Sequence, residues 1–207
     1  MKKILLSLIT TFTLLSASEI HDAVEMGDLE SIKKLLKEGA NINEPNKKFN
    51  QTPLHLAAYN EHYDILKFLT TKGANVNAQM SNGQTALFLV AYFGDLLAIR
   101  NLIIHGAKLN IRDHRGNTAL HKASESGSDK VVRLLIVKGA KVNVKNHRNS
   151  TPLHVAGYMG NEKAVWALVE NGAKVNIKDN EGFTAIDEAD EEDYGRIVKI
   201  MKKFGKK

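Results

Sequence analysis

The chain has 207 residues, of which 43% are hydrophobic and 25% charged, enough for one ordinary domain or for a short array of small units that share a core. Three prolines, fifteen glycines and 6% aromatic residues exclude collagen-like and proline-rich polymers, and no apolar run reaches the length of about eighteen residues that a membrane-spanning helix needs. The absence of cysteine excludes disulfides, thiolate metal sites, cysteine nucleophiles and a thioether-linked lipid.

The first eighteen residues have the composition of an export signal. Met1 to Lys3 is a short positive segment, Ile4 to Leu15 is apolar, and Ser16 to Ser18 supply the small residues that a signal peptidase reads. We therefore predict a signal peptide over 1–18, cut before Glu19, and a periplasmic or secreted mature protein with no membrane span. The open alternative is a buried N-terminal helix or an uncleaved anchor.

The charge of the predicted mature chain does not indicate nucleic-acid binding. Removing Lys2 and Lys3 takes Lys+Arg from 29 to 27 against 23 acidic residues, so the formal charge falls from +6 to +4. This mildly basic balance is well short of the concentrated positive charge typical of nucleic-acid-binding domains. We expect no nucleic-acid partner, and the predicted export agrees with that.

From residue 19 onward the chain is periodic. A Thr-Pro-Leu-His motif or a close variant recurs five times at a constant spacing of thirty-three residues, starting at Thr52, Thr85, Thr118, Thr151 and Thr184. A second marker, Gly-Ala followed by an apolar-Asn pair, begins at Gly39, Gly73, Gly106, Gly139 and Gly172. Repetition at this period indicates stacked units that bury a continuous core only together.

These motifs resemble the ankyrin repeat, in which Thr-Pro-Leu-His-x-Ala is followed by two helices and a β-turn. The resemblance covers Glu19 to about Phe204 and implies an all-α ankyrin-repeat solenoid of about six helix-turn-helix units with β-turn tips. The predicted domain spans 19–207, with units near 19–47, 48–80, 81–113, 114–146, 147–179 and 180–207.

The repeated residue types have local physical roles. Thr is a preferred N-cap, and Pro suits the first helical position because its missing N–H has no partner there. Glu61 stands where four of the other units have Gly between the two helices, so we expect a strained or altered turn. Small residues are predicted on the first helices, at Ala23, Ala57, Val90, Ala123, Ala156 and Ala189. The predicted apolar seam of the second helices is Leu35, Leu69, Leu102, Leu135 and Leu168.

No familiar catalytic or nucleotide-binding motif is present, so we predict a non-enzymatic protein with no cofactor and no metal site. Four histidines of this chain share one position of the repeat: His21, His55, His121 and His154. In the ankyrin family the imidazole at this position hydrogen-bonds the turn and the next unit, so the resemblance implies a structural role for all four. His114 and His147 instead lie in successive turn tips, and the alternative function is a small-ligand, metal or haem carrier that uses them.

In ankyrin arrays the ends of the first helices and the turn tips line a concave face that binds other proteins, and the resemblance implies the same surface here. The helix positions carry Tyr59, Asn60, Tyr92, Phe93, Glu125, Tyr158 and Met159. The tips carry Arg112, His114, Arg115, Lys145, His147 and Arg148. Tyrosine is favoured at binding hot spots, and basic tips attract an acidic surface. The alternatives are tyrosines that are only tolerated at the rim and tips that are charged for solubility.

We therefore predict a monomeric protein-interaction module, exported to the periplasm or beyond, that binds a partner protein with an acidic patch in its concave groove. The partner is expected to be a toxic enzyme that the protein inhibits, as an immunity protein does, or a periplasmic enzyme that it assists. A further alternative is a secreted effector that acts on a host protein.

Overall fold

The structure is a computed structural model that describes residues 19–205. The predicted signal peptide over 1–18 lies outside these residues. Residues 19–25 form α1, and the later helices are α2 (Leu29–Lys37), α3 (Pro53–Tyr59), α4 (Tyr63–Thr71), α5 (Ala86–Phe93), α6 (Leu96–Ile104), α7 (Ala119–Ser126), α8 (Asp129–Val137), α9 (Pro152–Tyr158), α10 (Glu162–Glu170), α11 (Ala185–Glu191) and α12 (Gly195–Phe204). Over the described residues the predicted all-α solenoid is confirmed, and extended pairing is limited to one isolated bridge between Lys178 and Thr184. None of the helices in 19–205 is both long and apolar enough to cross a membrane.

The helices alternate between two layers. The odd-numbered helices α1 to α11 come first in each unit, and the even-numbered helices α2 to α12 complete it. From α3 onward, the first helices of neighbouring units pack against one another more closely than the second helices of the same units do. The row therefore curves with the first helices on the inside, and we call the two sets the inner and outer helices.

The starts of the helices are determined by local capping. The repeated Thr is the N-cap of α3, α5, α7, α9 and α11, and Pro53 and Pro152 hold the first helical position. The outer helices α2, α6 and α8 follow Asp28, Asp95 and Ser128, whose side chains accept hydrogen bonds from backbone N–H groups of the first turn. The expected junctions between turn and helix are thus present.

The turn from inner to outer helix needs a residue with left-handed backbone geometry. Gly94 and Gly127 have φ of 89° and 79° there, and Glu61 holds the equivalent place with φ of 58°. The expected strained turn at Glu61 is confirmed, since a Cβ makes this conformation unfavourable. Asp193 has φ of 59° at the same point of the last unit.

The core runs continuously through both layers. The small residues predicted on the inner helices are all buried, and so are Leu69, Leu102, Leu135 and Leu168 on the outer helices. Leu35 also packs against this core, as predicted, but its side chain is only half-buried. Within the described residues α2 has a neighbouring unit on one side only, which leaves part of this side chain uncovered.

Two hydrogen-bond ladders join the units at opposite ends. At the tips, the backbone N–H of His114 donates to the Asn82 carbonyl at 2.9 Å, and later tips repeat this contact. At the other end, the Asn110 side chain donates to the Gly139 carbonyl at 3.3 Å and accepts from the Lys141 N–H at 2.9 Å. Asn77 and Asn143 form the equivalent pairs of bonds. The apolar-Asn marker therefore connects successive units.

Candidate functional site

Aromatic side chains at the ends of α3 and α5 are exposed on the inner side of the row. Tyr59 is 57% exposed, Tyr92 47% and Phe93 38%. The Phe93 ring meets the Tyr59 ring edge-on at 6.4 Å between centroids and the Tyr92 ring at 5.7 Å. We call these three residues the aromatic cluster. Asn60, also predicted on this face, caps α3 next to Tyr59 and is half-buried.

A groove with a volume of about 580 Å³ lies farther along the row, beside α7, α9, α11 and their tips. Arg112 and Lys145 are not part of its lining. The predicted residues that line it are His114, Arg115, Glu125, His147, Arg148, Tyr158 and Met159. The structure thus brings seven of the predicted residues together in one groove and places Tyr59, Asn60, Tyr92 and Phe93 outside it.

Several charges of this region are paired within the protein. Lys122 contacts Glu125 at 2.6 Å, and Arg148 contacts Glu181 at 2.8 Å. The Arg112 guanidinium donates to the carbonyl oxygens of Gly116 at 3.1 Å and Lys145 at 2.7 Å, so it connects two tips. The side chain of Arg115, in contrast, forms no hydrogen bond or ion pair within residues 19–205. Arg115 is therefore the tip arginine whose guanidinium has no bonding partner in the described part of the chain.

The tip histidines pack over glycines of the preceding tips. A Cβ on Gly83 would lie 2.8 Å from Cδ2 of His114, and a Cβ on Gly116 would lie 2.8 Å from Cδ2 of His147. Both glycines also have positive φ, so the tips need glycine for conformation and for close approach. In the part of the chain that the structure describes, no three His, Asp or Glu side chains come together as a potential metal site.

Acidic residues of the last unit form one wall of the groove, which the sequence analysis did not predict. Glu181, Glu188 and Glu191 all line it, and the last two have no hydrogen bond or ion pair within residues 19–205. Burial, with a smaller contribution from neighbouring Asp179, raises the pKa of Glu188 to about 7. Glu191 occupies the repeat position that Tyr158 holds thirty-three residues earlier. The register of the repeat was therefore the signal that would have placed Glu191 on this face.

The repeated histidines are structural, as predicted. In the unit of His121, Nδ1 accepts from the Thr118 N–H at 3.0 Å, so Nε2 carries the proton and donates to the Ser150 carbonyl at 3.3 Å. His55 and His154 form the equivalent contacts, and Nε2 of His21 lies 3.2 Å from the Gln51 carbonyl oxygen. Burial lowers the pKa of His55 and of His121 to about 4, and it also lowers the pKa of His154.

Comparison with known families gives one match that extends over almost all of the described chain. The family described as ankyrin repeats (3 copies) matches residues 20–113, 87–179 and 139–205.

The similar curated proteins share only short segments with this chain. A putative ankyrin repeat protein of Fowlpox virus is 40% identical over 60 residues, which are 29% of this chain and 15% of the relative. Protein phosphatase 1 regulatory subunit 27 of Homo sapiens is 38% identical over 64 residues, 31% of this chain and 41% of the relative. Ankyrin repeat and SOCS box protein 2 of Homo sapiens is 42% identical over 69 residues, which are 33% of this chain and 11% of the relative. The matched segments thus span less than half of each relative.

Proposed function

Because this chain belongs to the ankyrin repeat family, we propose that it is a non-enzymatic interaction module that binds another protein on the inner face of the row. The observation that carries the proposal is the aromatic cluster. Its three side chains are each exposed by between 38% and 57%, and the Phe93 ring contacts both tyrosine rings. Aromatic side chains that cluster on a surface are the usual anchors of a protein interface.

The chemistry of the inner face indicates what kind of partner surface fits it. An apolar patch fits the aromatic cluster and Tyr158, which lines the groove. An acidic patch fits the Arg115 guanidinium at the tips, and a cationic side chain fits Glu188 and Glu191 at the far wall. The proposed partner therefore has a mixed surface with an apolar centre, and the chain itself acts as a monomer.

We also propose that the protein acts in the periplasm or beyond, where it inhibits or assists an enzyme. The signal-like segment over 1–18 supports the export. The human phosphatase relative is named as a regulatory subunit, which supports action through binding to an enzyme. Intact-mass analysis of the exported protein is expected to show Glu19 as its first residue. A product that retains Met1 would contradict the export.

The test of the interface begins with capture of the partner from a periplasmic extract and measures its binding to single variants. Tyr92→Ala and Tyr158→Ala are expected to raise the dissociation rate, since truncating an anchor costs about 2 kcal/mol or more, roughly thirtyfold in affinity. Their unfolding midpoints stay unchanged, because both side chains are exposed. Arg115→Ala is expected to slow association, chiefly at low salt, because an exposed charge steers the encounter.

Lys67→Ala, on the outer helix α4, is the control and is expected to bind the partner normally. If both tyrosine variants bind normally while Lys67→Ala or Arg133→Ala abolishes binding, the partner occupies the outer face and the proposed interface is wrong.

A further inference from the structure

Three aliphatic side chains on the outer helices extend into solvent. Leu97 and Ile104 of α6 are 78% and 81% exposed, and Val137 of α8 is 77% exposed. Leu97 and Ile104 are two helical turns apart and share one face of α6, while Val137 holds the position of Ile104 in the next unit. No other large hydrophobic residue in 19–205 is as exposed as these three. We call them the aliphatic patch.

Basic residues run along the same face in register. The position between Leu97 and Ile104 on α6 is that of Arg100, and the equivalents on the six outer helices are Lys33, Lys67, Arg100, Arg133, Trp166 and Lys199. We call the five basic residues of this row the basic stripe. Lys33 and Arg133 are paired with glutamates, but the side chains of Lys67, Arg100 and Lys199 form no hydrogen bond or ion pair within the described chain.

The helical charges are separated by layer. The outer helices carry 12 basic and 5 acidic residues, a net charge of +7. The inner helices, counted from residue 19, carry 1 basic and 8 acidic residues, a net charge of −7. Most of the outer surplus lies at the two ends of the row, with +2 on α2 and +4 on α12, whereas α6 and α8, which carry the aliphatic patch, contribute +1 each.

We propose that the outer face binds the surface of an anionic lipid bilayer. The basic stripe contacts the headgroups, and the aliphatic patch enters the boundary between headgroups and acyl chains. Of the anionic surfaces that complement the stripe, a bilayer also accepts aliphatic side chains, whereas a soluble polyanion leaves Leu97, Ile104 and Val137 in water. Binding through the outer face leaves the inner face free for a partner protein, so this proposal does not depend on the proposed function.

Trp166 gives a measurement specific to the outer face. It is the single tryptophan of the chain, lies in the row of the basic stripe, and is half-buried against Phe204 at 5.7 Å between ring centroids. We would mix the full chain with vesicles whose acyl chains carry bromine and follow quenching of Trp166. Vesicles that contain phosphatidylglycerol are expected to quench it, and vesicles of phosphatidylcholine alone are not. Residues 1–18 contain no tryptophan, but their apolar run also partitions into vesicles, so quenching supports the proposal only where the outer-face substitutions below reduce it.

Single substitutions separate the two parts of the surface. Leu97→Gln and Ile104→Gln are each expected to weaken vesicle binding about tenfold, from the apolar area that no longer leaves water. Arg100→Gln is expected to weaken it about fivefold at low salt, the effect of one surface charge near anionic lipid. Met26→Gln is the matched control, because Met26 is also strongly exposed but lies in the turn after α1, and Tyr92→Ala is the control on the inner face. Both controls are expected to bind vesicles as the native chain does.

Two results would overturn the proposal. One is an absence of Trp166 quenching on vesicles that contain phosphatidylglycerol. The other is vesicle binding that Arg100→Gln weakens but Ile104→Gln leaves unchanged, together with equal displacement of the vesicles from both variants by soluble poly-glutamate. That result would assign the basic stripe to an acidic protein instead.

Discussion

Acidification is expected to destabilise the protein through its buried histidines. Burial lowers the pKa of His55 and His121 to about 4, whereas histidine in the unfolded chain titrates near 6.5. As the pH falls below about 6.5, the unfolded state takes up protons that the folded state does not. The stability that the neutral rings provide is therefore lost between about pH 6.5 and pH 4.

The size of the effect follows from the same values. Between pH 7 and pH 5 each of the two histidines contributes a loss of about 2 kcal/mol, or about 4 kcal/mol together. This loss is a large part of the free energy of unfolding of a typical domain, which is roughly 5–15 kcal/mol. His154, whose pKa is also lowered by burial, adds to the loss in the same direction.

Glu188 acts in the opposite direction over part of this range. Burial raises its pKa to about 7 from an ordinary value of 4.5, so the folded state binds this proton more tightly than the unfolded state does. Lowering the pH from above 7 towards 4.5 therefore favours the folded state at this one group. Because the carboxyl is only partly buried, solvent screening limits the contribution to about 1 kcal/mol or less.

Urea denaturation at pH 7 and pH 5 tests the reasoning, with Glu188→Gln as the background that removes the opposing group. We expect this variant to lose about 4 kcal/mol or more between the two pH values. His121→Asn in the same background removes one titrating ring and is expected to lose about 2 kcal/mol less. At pH 7 the same substitution costs about 1–3 kcal/mol, because the Ser150 carbonyl loses its donor. Equal acid losses with and without His121→Asn would refute the assignment.

Three further predictions concern the framework, and each is measured as a shift in the free energy of unfolding. Leu102→Ala and Leu135→Ala are each expected to destabilise by about 2–5 kcal/mol as buried large-to-small changes, and shifts within error would contradict the predicted seam. Asn110→Ala is expected to cost about 1–2 kcal/mol, because it removes two hydrogen bonds between units, and an unchanged stability would mean that water replaces them. Gly116→Ala is expected to cost about 1–2 kcal/mol from its positive φ alone and more from the clash with the His147 ring, so a neutral effect would contradict the tip geometry.

The repeat architecture could be predicted from the sequence because its determinants are local and recur. A Thr before each inner helix from α3 onward sets the cap, a residue with positive φ follows most inner helices, and a small residue such as Ala57 or Ala156 lets neighbouring helices approach. These choices depend on a few adjacent residues, and five copies in one register make accident implausible. The same register also predicted which residues face the concave side, although their role in binding stays a prediction.

The partners of the side chains that join the units depended on the tertiary structure, because these partners belong to a neighbouring unit about thirty residues away. The Arg112 guanidinium donates to the carbonyl oxygens of two tips, one of them thirty-three residues away, and its role in binding stays a prediction. Glu188 and Glu191 become a wall of the groove only because α11 stacks on α9. Val137 joins Leu97 and Ile104 on one face only because α6 and α8 are neighbours in the outer layer. The local sequence specifies the fold of each unit. The charge and shape of a surface arise from contacts between units, and these contacts exist only once the units are stacked.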